Sequence, residues 1–205
     1  MILYIFAMED EAKDIIKDLE LVKDLMFPLY RSNNNLYAIT GIGKTNASFV
    51  TSYLAGKYPI TKIVNLGFVG AVGNFKIGEQ LLVEKARYHD VDVTMFGYEK
   101  GQVPKMPAYY EITQHQINEF PTIRRVNIYT GDYFMLEEID TNYIADMEVT
   151  AIFQVAYRLN LPVYSFKVVS DIIGSNNHLA DYSEFEAKGS LLIKELYNEI
   201  SEVIK

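Results

Sequence analysis

Carboxylate side chains stand at three places where a predicted strand or helix begins or ends. They are Glu9, Asp10 and Glu11 after the apolar run ILYIFA, Glu148 at the start of a helical pattern, and Asp171 after the run VYSFKVVS. Two carboxyl groups can divide the work of breaking a bond, because one donates a proton to the leaving group while the other accepts a proton from the nucleophile. These residue types favour acid–base chemistry without identifying the reaction.

Helical spacing narrows the choice among the first three acids but does not complete it. At roughly 100° per residue, Met8 lies near the centre of the apolar stripe and Asp10 points away from it. Glu9 and Glu11 flank the stripe on opposite sides, so the pattern leaves both open as site residues. Acids in a first helical turn also complement the helix dipole, which is a structural role that needs no chemistry.

Glu148 and Asp171 each have a structural interpretation beside the functional one. Glu148 shares an apolar helical face with Ile152 and Val155, where a carboxylate must be paired or hydrogen-bonded, but it can equally cap the helix. Asp171 ends a strand, where α/β sheets bind their ligands, but aspartate is also common at N-caps and in turns.

The elements that hold these residues alternate between strand and helix patterns. Apolar runs typical of strands are ILYIFA, FPLYRS, LYAIT, KIVNLGF, EQLLVEKARY, RRVNIYT and PVYSFKVVSD. Helical patterns are EDEAKDIIKDL, the stretch from GIGKTNAS to Lys57, MEVTAIFQVAYRLN, and one closing helix, SEFEAKGSLLIKELYNEISEVI. The alternation predicts an α/β layered fold with a mainly parallel sheet, and the length of 205 residues favours a single domain over residues 1–205.

Other signals argue against several classes of partner. The formal net charge of −8 opposes binding to nucleic acid and to anionic membranes. No apolar run approaches the ~18 residues of a membrane span, so a soluble cytoplasmic protein is expected. The chain has no cysteine and its three histidines are far apart, and neither GIGKTNAS nor GFVGAVG matches a phosphate-binding fingerprint. The glycines of both stretches allow the backbone to approach another group closely, and those of GFVGAVG are interpreted as turn glycines or as a ligand wall. No metal or organic cofactor is expected.

Several stretches resemble the 5′-methylthioadenosine/S-adenosylhomocysteine nucleosidases, a family with the purine nucleoside phosphorylase fold. In chain order they are AMEDEA (7–12), GIGKTNA (41–47), NLGFVGAVGNFKIGE (65–79), ARYHDVDVTMFGYEKGQVPKMP (86–107), GDYF (131–134), DMEVTAI (146–152) and VVSD (168–171). The stretch 86–107 is the most specific. The resemblance implies a three-layer α/β fold with a mixed, mainly parallel twisted sheet flanked by helices, and hydrolytic release of adenine.

The resemblance also implies roles for individual residues. Glu11 would activate the attacking water, and Asp171, supported by Ser170, would protonate the purine. Glu148 would bind the ribose hydroxyls. The other positions implied to contact the nucleoside are Met147 under the sugar, Phe134 and Met135 at adenine, and Val93, Phe96 and Pro104 at the 5′-substituent, with Ile42 beside them. Met8 is expected to bind substrate as well. In this family the partner subunit caps the 5′ pocket, which implies a homodimer with Val93, Phe96 and Pro104 reaching across.

The sequence departs from the family pattern at a few positions. Phe68 stands where the family usually has serine, Lys167 where it has arginine, and Asp146 where it has glutamate; the segment between Phe134 and Asp146 is shorter. These changes affect the expected substrate range and rate. Two interpretations of Lys167 are open: a charge partner of Glu11 or Glu148, or a residue that only decorates a sheet edge.

Two alternative functions compete with hydrolysis. A nucleoside phosphorylase would need cationic forks or hydroxyl donors for phosphate, whereas Phe68 offers an apolar ring and a basic Glu11 would repel the anion. A catalytically silent nucleoside-binding protein is disfavoured because Glu11, Glu148 and Asp171 are all present. Hydrolysis is the preferred prediction.

Overall fold

Ten strands form one sheet in the computed structural model, which describes residues 1–135, 140–175, 178–186 and 188–204. The strands are β1 (Ile2–Phe6), β2 (Glu20–Leu21), β3 (Leu29–Ser32), β4 (Asn35–Ile39), β5 (Lys62–Val72), β6 (Gln80–Tyr88), β7 (Tyr110–Glu111), β8 (Arg124–Thr130), β9 (Tyr143–Asp146) and β10 (Val163–Ile172). The helices are α1 (Glu9–Ile16), α2 (Lys44–Lys57), α3 (Gln114–Asn118), α4 (Val149–Leu159), α5 (His178–Glu186) and α6 (Ser190–Val203).

The sheet is mixed, as the family resemblance implies. Strand β10 pairs with both β5 and β6, so the strands β10, β6, β8, β9 and β5 close into a ring, and β1, β4, β3 and β2 extend from β5. Parallel pairs join β1 to β4 and β5, β10 to β5, and β8 to β6 and β9. Antiparallel pairs contribute more than expected, partly because the strands β2, β7 and β9 are too short to show a pattern of their own.

Helices pack beside the sheet in two groups, α1 against α6 and α2 against α4. Ala12, Ile15 and Ile16 of α1 are buried, which confirms their predicted helical spacing. The predicted single closing helix is wrong, because the chain forms α5 and α6 with Gly189 between them. A Cβ at Gly189 would lie 2.7 Å from the Phe68 ring. At the break between the two helices the backbone therefore passes so close to this ring that a side chain has no room.

Strand β5 runs without interruption through Gly67 and Gly70, so of the two interpretations of these glycines the turn is wrong and the ligand wall stays open. A Cβ at Gly67 would lie 2.6 Å from Glu11 Oε1, and a Cβ at Gly70 would lie 2.9 Å from Asp171 Oδ2. The two glycines therefore leave room for two carboxyl groups beside a central strand.

A bulge in β10 decides the direction of Asp171. Val169 pairs with Val69, but Asp171 pairs with Gly70, so the register shifts at Ser170. Strict alternation would put Lys167 and Asp171 on the same face of the sheet. The extra residue turns Asp171 to the opposite face.

Candidate active site

A cavity beside β1, β5 and β10 brings together most of the predicted site residues. Those that line it are Met8, Glu11, Ile42, Phe134, Met135, Met147, Glu148, Ser170 and Asp171. Tyr133, Asp146, Ile173 and Tyr182 also line it. Tyr133 belongs to the GDYF stretch but has no implied role, and no sequence motif includes Ile173 or Tyr182. The individual roles of these residues stay predictions.

Three of the predicted positions lie elsewhere. Within the described chain, Val93, Phe96 and Pro104 are not among the residues that line this cavity. Phe96 is the last residue of a short 3₁₀ helix, Thr94–Phe96, and is 70% exposed. Pro104 is also exposed. This placement is compatible with their predicted contact to a partner subunit, which stays a prediction.

Glu11 is buried at the third position of α1, and its carboxylate accepts three backbone hydrogen bonds. The N–H groups of Ala7 and Met8 donate to Oε2 at 2.8 and 3.1 Å, and the N–H of Phe68 donates to Oε1 at 2.9 Å. Burial raises the pKa of Glu11, while Lys167 and these N–H groups act in the opposite direction. The result is a fixed carboxylate that is more basic than an ordinary glutamate.

The neighbouring acids face solvent. Glu9 is exposed, and Asp10 is exposed and pairs with Lys13 at 3.1 Å. The geometry therefore selects Glu11 from the two candidates that helical spacing leaves open.

Glu148 precedes α4, and its side chain turns away from the helix. The N–H of Gly43 donates to Oε1 at 2.7 Å and that of Met147 to Oε2 at 3.3 Å. Burial, followed by the neighbouring charge of Asp146, raises the pKa of Glu148 to about 8. The alternative role as a helix cap belongs instead to Asp146, whose Oδ2 accepts the Val149 N–H at 3.1 Å.

Asp171 lies inside β10 and is 1% exposed, so it is neither an N-cap nor a turn residue. The Ser170 hydroxyl lies 2.5 Å from Asp171 Oδ1 and 3.0 Å from the Val69 carbonyl oxygen. Backbone and hydroxyl contacts thus orient the carboxyl group at the cavity wall.

Lys167 is a buried cation beside the other charges. Only 2% of its side chain is exposed, and its Nζ lies 3.1 Å from Asp146 Oδ2. A Cβ at Gly67 would contact both Glu11 Oε1 and Lys167 Nζ, so the ammonium lies close to the Glu11 carboxylate. The interpretation of Lys167 as an edge decoration is wrong, since β10 pairs on both sides at this residue. The predicted charge partners are Glu11 or Glu148, but the direct ion pair of Lys167 is with Asp146. The Lys167 ammonium still lowers the pKa of both Glu11 and Glu148 by its charge.

The apolar part of the cavity is built from aromatic rings and methionines. The Phe134 ring meets the Tyr182 ring edge-on, with 5.5 Å between centroids, and the Tyr182 hydroxyl lies 3.9 Å from the sulfur of Met8. Met135 is buried, and its sulfur accepts the hydroxyl of Tyr143 at 3.2 Å. These surfaces can sandwich a flat base and contact an apolar substituent.

The backbone and the ring of Phe68 make different contacts at the cavity. Its N–H holds Glu11, whereas its ring packs edge-on against Phe185 at 5.2 Å. The ring borders the cavity and offers no hydrogen-bond donor. An anion placed there would have no partner from this side chain.

Known proteins are similar to this sequence over most of its length. A family model described as the phosphorylase superfamily matches residues 2–205. The 5′-methylthioadenosine/S-adenosylhomocysteine nucleosidase of Bacillus subtilis (strain 168) is 31% identical over 200 residues, covering 85% of this chain and 87% of that protein. The nucleosidase of the same name from Staphylococcus saprophyticus is 32% identical over 197 residues, covering 84% and 86%.

Solved structures share the fold. A candidate 5′-methylthioadenosine/S-adenosylhomocysteine nucleosidase from Borrelia burgdorferi B31, bound to adenine, has a TM-score of 0.92 and 28% identity over 99% of this chain and 100% of its own. The Streptococcus pneumoniae nucleosidase in complex with 8-aminoadenine has a TM-score of 0.83 and 26% identity over 94% and 97%. The predicted nucleoside phosphorylase-like fold is confirmed. The chain belongs to the phosphorylase superfamily and, within it, to the 5′-methylthioadenosine/S-adenosylhomocysteine nucleosidases.

Proposed function

We propose that this chain hydrolyses the N-glycosidic bond of 5′-methylthioadenosine and S-adenosylhomocysteine and releases adenine. The observation that carries the proposal is the position of Glu11 and Asp171: both are buried, both line one cavity, and each lies beside a glycine of β5. Support comes from the relatives in Bacillus subtilis and Staphylococcus saprophyticus, which are named for these two substrates.

Asp171 and Glu11 divide the proton transfers of the proposed reaction. Asp171 donates its proton to the adenine ring as the bond between the base and C1′ of the ribose breaks, and Ser170 holds the carboxyl group in position. Glu11 accepts a proton from the water whose oxygen bonds to C1′. The products are adenine and the 5-thio-substituted ribose, with one proton moved from Asp171 to the base and one from water to Glu11.

Glu148 binds the ribose in this proposal. Its Oε1 already accepts the Gly43 N–H, and the substrate's 2′- and 3′-hydroxyls donate to the remaining lone pairs. Because hydrogen bonds to a carboxylate favour its charged form, these hydroxyls oppose the burial that raises the pKa of Glu148. Met147 lies under the sugar and Phe134 against the base.

We also propose a homodimer, whose second subunit completes the 5′ pocket with Val93, Phe96 and Pro104. Apolar side chains of this segment and of the cavity rim are exposed: Met95 to 84%, Phe96 to 70% and Ile42 to 50%. Apolar side chains exposed in such numbers are typical of an interaction surface.

Phosphorolysis is the nearest alternative, and one experiment separates it from hydrolysis. The enzyme is incubated with 5′-methylthioadenosine in the presence and absence of inorganic phosphate, and free adenine is measured. We expect the same rate of adenine release in both samples. A strict requirement for phosphate would overturn the proposed hydrolysis, and no release in either sample would favour a silent nucleoside-binding protein.

A further inference from the structure

A cluster of three charged side chains joins the first residue of α2 to two loops, next to residues that line the cavity. Lys44 Nζ pairs with Asp90 Oδ2 and lies 3.5 Å from Asp132 Oδ2. The N–H of Asp132 donates to the same Asp90 oxygen at 2.9 Å. Lys44 begins α2, Asp90 follows β6, and Asp132 follows β8. The cluster therefore links segments that are distant in sequence, and none of its three members lines the cavity.

The backbone of the same cluster leads to Glu148. Asp132 Oδ1 accepts the N–H of Lys44 at 2.8 Å, so this carboxylate from another loop caps the N-terminus of α2. The preceding residue, Gly43, has a φ of +100° and donates its N–H to Glu148 Oε1 at 2.7 Å. The Asp132 carboxylate that holds the backbone of Lys44 therefore also holds the neighbouring Gly43 N–H, which donates to Glu148.

The environment of the cluster makes it more than a loose surface pair. The side chains of Lys44 and Asp90 are 21% and 16% exposed, and the Lys44 ammonium lies 5.3 Å from the centre of the Tyr88 ring. Burial alone would raise the pKa of Asp90, but the Lys44 ammonium and the Asp132 N–H hold it below its ordinary value. Asp90 is therefore ionised and paired at neutral pH.

We propose that Lys44 and Asp132 are positioning residues that hold the Gly43 N–H on Glu148 and so set the geometry with which Glu148 binds the ribose hydroxyls. This inference rests on the proposed role of Glu148 in hydroxyl binding. Removing the cluster frees the loop that carries Ile42 and Gly43, and Glu148 loses the donor that orients Oε1. The enzyme then discriminates less strongly between ribose and a sugar that lacks a hydroxyl.

The test measures that discrimination directly. The ratio of kcat/KM for 5′-methylthioadenosine to kcat/KM for its 2′-deoxy analogue is determined for the wild type, Lys44→Met and Lys44→Arg. We expect Lys44→Met to lower the ratio about tenfold, the size of a lost charge-assisted hydrogen bond, and Lys44→Arg to restore most of it. Lys85→Met is the matched control. The Lys85 Nζ lies 3.0 Å from Glu111 Oε1, and neither residue lines the cavity, so the ratio in this variant should not change.

Two further variants separate the positioning role of Lys44 and Asp132 from the role of Glu148 itself. Asp132→Ala removes the oxygen that accepts the Lys44 N–H and so removes the cap of α2 itself. It repeats the test if Lys44→Met does not fold, and we expect the ratio to fall here too. Glu148→Gln serves as the reference for a lost hydroxyl contact. A ratio that collapses in Glu148→Gln but stays at the wild-type value in folded Lys44→Met or Asp132→Ala would overturn the positioning role alone. An unchanged ratio in Glu148→Gln would overturn the proposed role of Glu148 and the inference with it.

Discussion

Two carboxyl groups carry the proposed chemistry at the scale of single residues. Glu11→Gln and Asp171→Asn should each lower kcat by roughly 10²–10⁴-fold while the protein stays folded, because each change removes one proton transfer. Steady-state kinetics and circular dichroism measure the two effects. Glu9→Gln and Asp10→Asn are the matched controls, since both side chains are exposed, and they should be mild. If Glu9→Gln were the inactive variant, Glu11 would not be the base.

Lys167 gives a prediction about pH. The Lys167 ammonium lowers the pKa of Glu11 against the effect of burial, so its removal should raise that pKa. Glu11 must be ionised to accept a proton, and the acidic limb of kcat/KM should therefore move to higher pH in Lys167→Met, with a lower maximum. Lys167→Arg keeps the charge and should retain the wild-type limb.

A structural effect of Lys167→Met has to be separated from this titration. The change leaves Asp146 buried without its cation, which costs about 3–5 kcal/mol of stability when a buried pair is broken. Circular dichroism at each pH distinguishes unfolding from protonation. An unshifted acidic limb in the folded variant would refute the role of Lys167 as charge partner of Glu11.

Periodicity predicts some of these residues and misses others for clear reasons. Spacing along α1 cannot decide between Glu9 and Glu11, because both flank the apolar stripe; the family motif points to Glu11 and the geometry agrees. Tyr182 carries no signal in the sequence, since its contact to Phe134 depends on where α5 docks. Lys167 and Asp171 lie on opposite faces only because of the bulge, which strict alternation cannot show.

At the scale of elements, β5 must stay free of side chains where it passes the two carboxyl groups. In Gly67→Ala, the new methyl group would lie 2.6 Å from Glu11 Oε1 and 3.1 Å from Lys167 Nζ, so both charges must move. We expect a loss of kcat of at least tenfold, because the base leaves its position, together with a lower melting temperature.

Gly56→Ala provides the control for that prediction. Gly56 lies in α2, and its Cβ would meet no described atom within 4 Å. Alanine is favoured over glycine inside a helix by roughly 0.5–1 kcal/mol, so this variant should be as stable as the wild type or more stable, with unchanged kcat. Full activity in Gly67→Ala would contradict the close approach of Glu11 to β5.

Elements with a strong pattern of their own are predicted well. The strand β1, the helices α1, α2 and α4, and the strand β10 all lie where the sequence places them. The closing region is predicted as one helix because its apolar spacing continues across Gly189, and the break depends on packing against the Phe68 and Phe185 rings. Long-range contacts of this kind leave no local trace.

At the scale of the whole molecule, the main prediction is a homodimer. Two observations motivate it. Met95 and Phe96 are exposed, and Val93 and Pro104 do not line the cavity of their own subunit. Sedimentation velocity at micromolar concentration should give a dimer, and Phe96→Glu should weaken it and raise KM by placing a charge in the interface. A fully active monomer would refute the prediction.

Two further expectations for the whole chain stay predictions. Among the described residues, no helix is long and apolar enough to cross a bilayer. The cytoplasmic location and the single domain over residues 1–205 are inferred from the sequence alone.

The central claim is that water, activated by Glu11, is the nucleophile. The most direct test is turnover of 5′-methylthioadenosine in ¹⁸O-labelled water containing inorganic phosphate, with mass spectrometry of the sugar product. We expect free adenine and a 5-methylthioribose that carries one ¹⁸O atom introduced at C1. Product analysis begins immediately after turnover and includes a sugar-only sample in the same labelled water, because exchange at the free C1 hydroxyl must be subtracted. A sugar 1-phosphate as the product would show that phosphate, and not water, is the nucleophile.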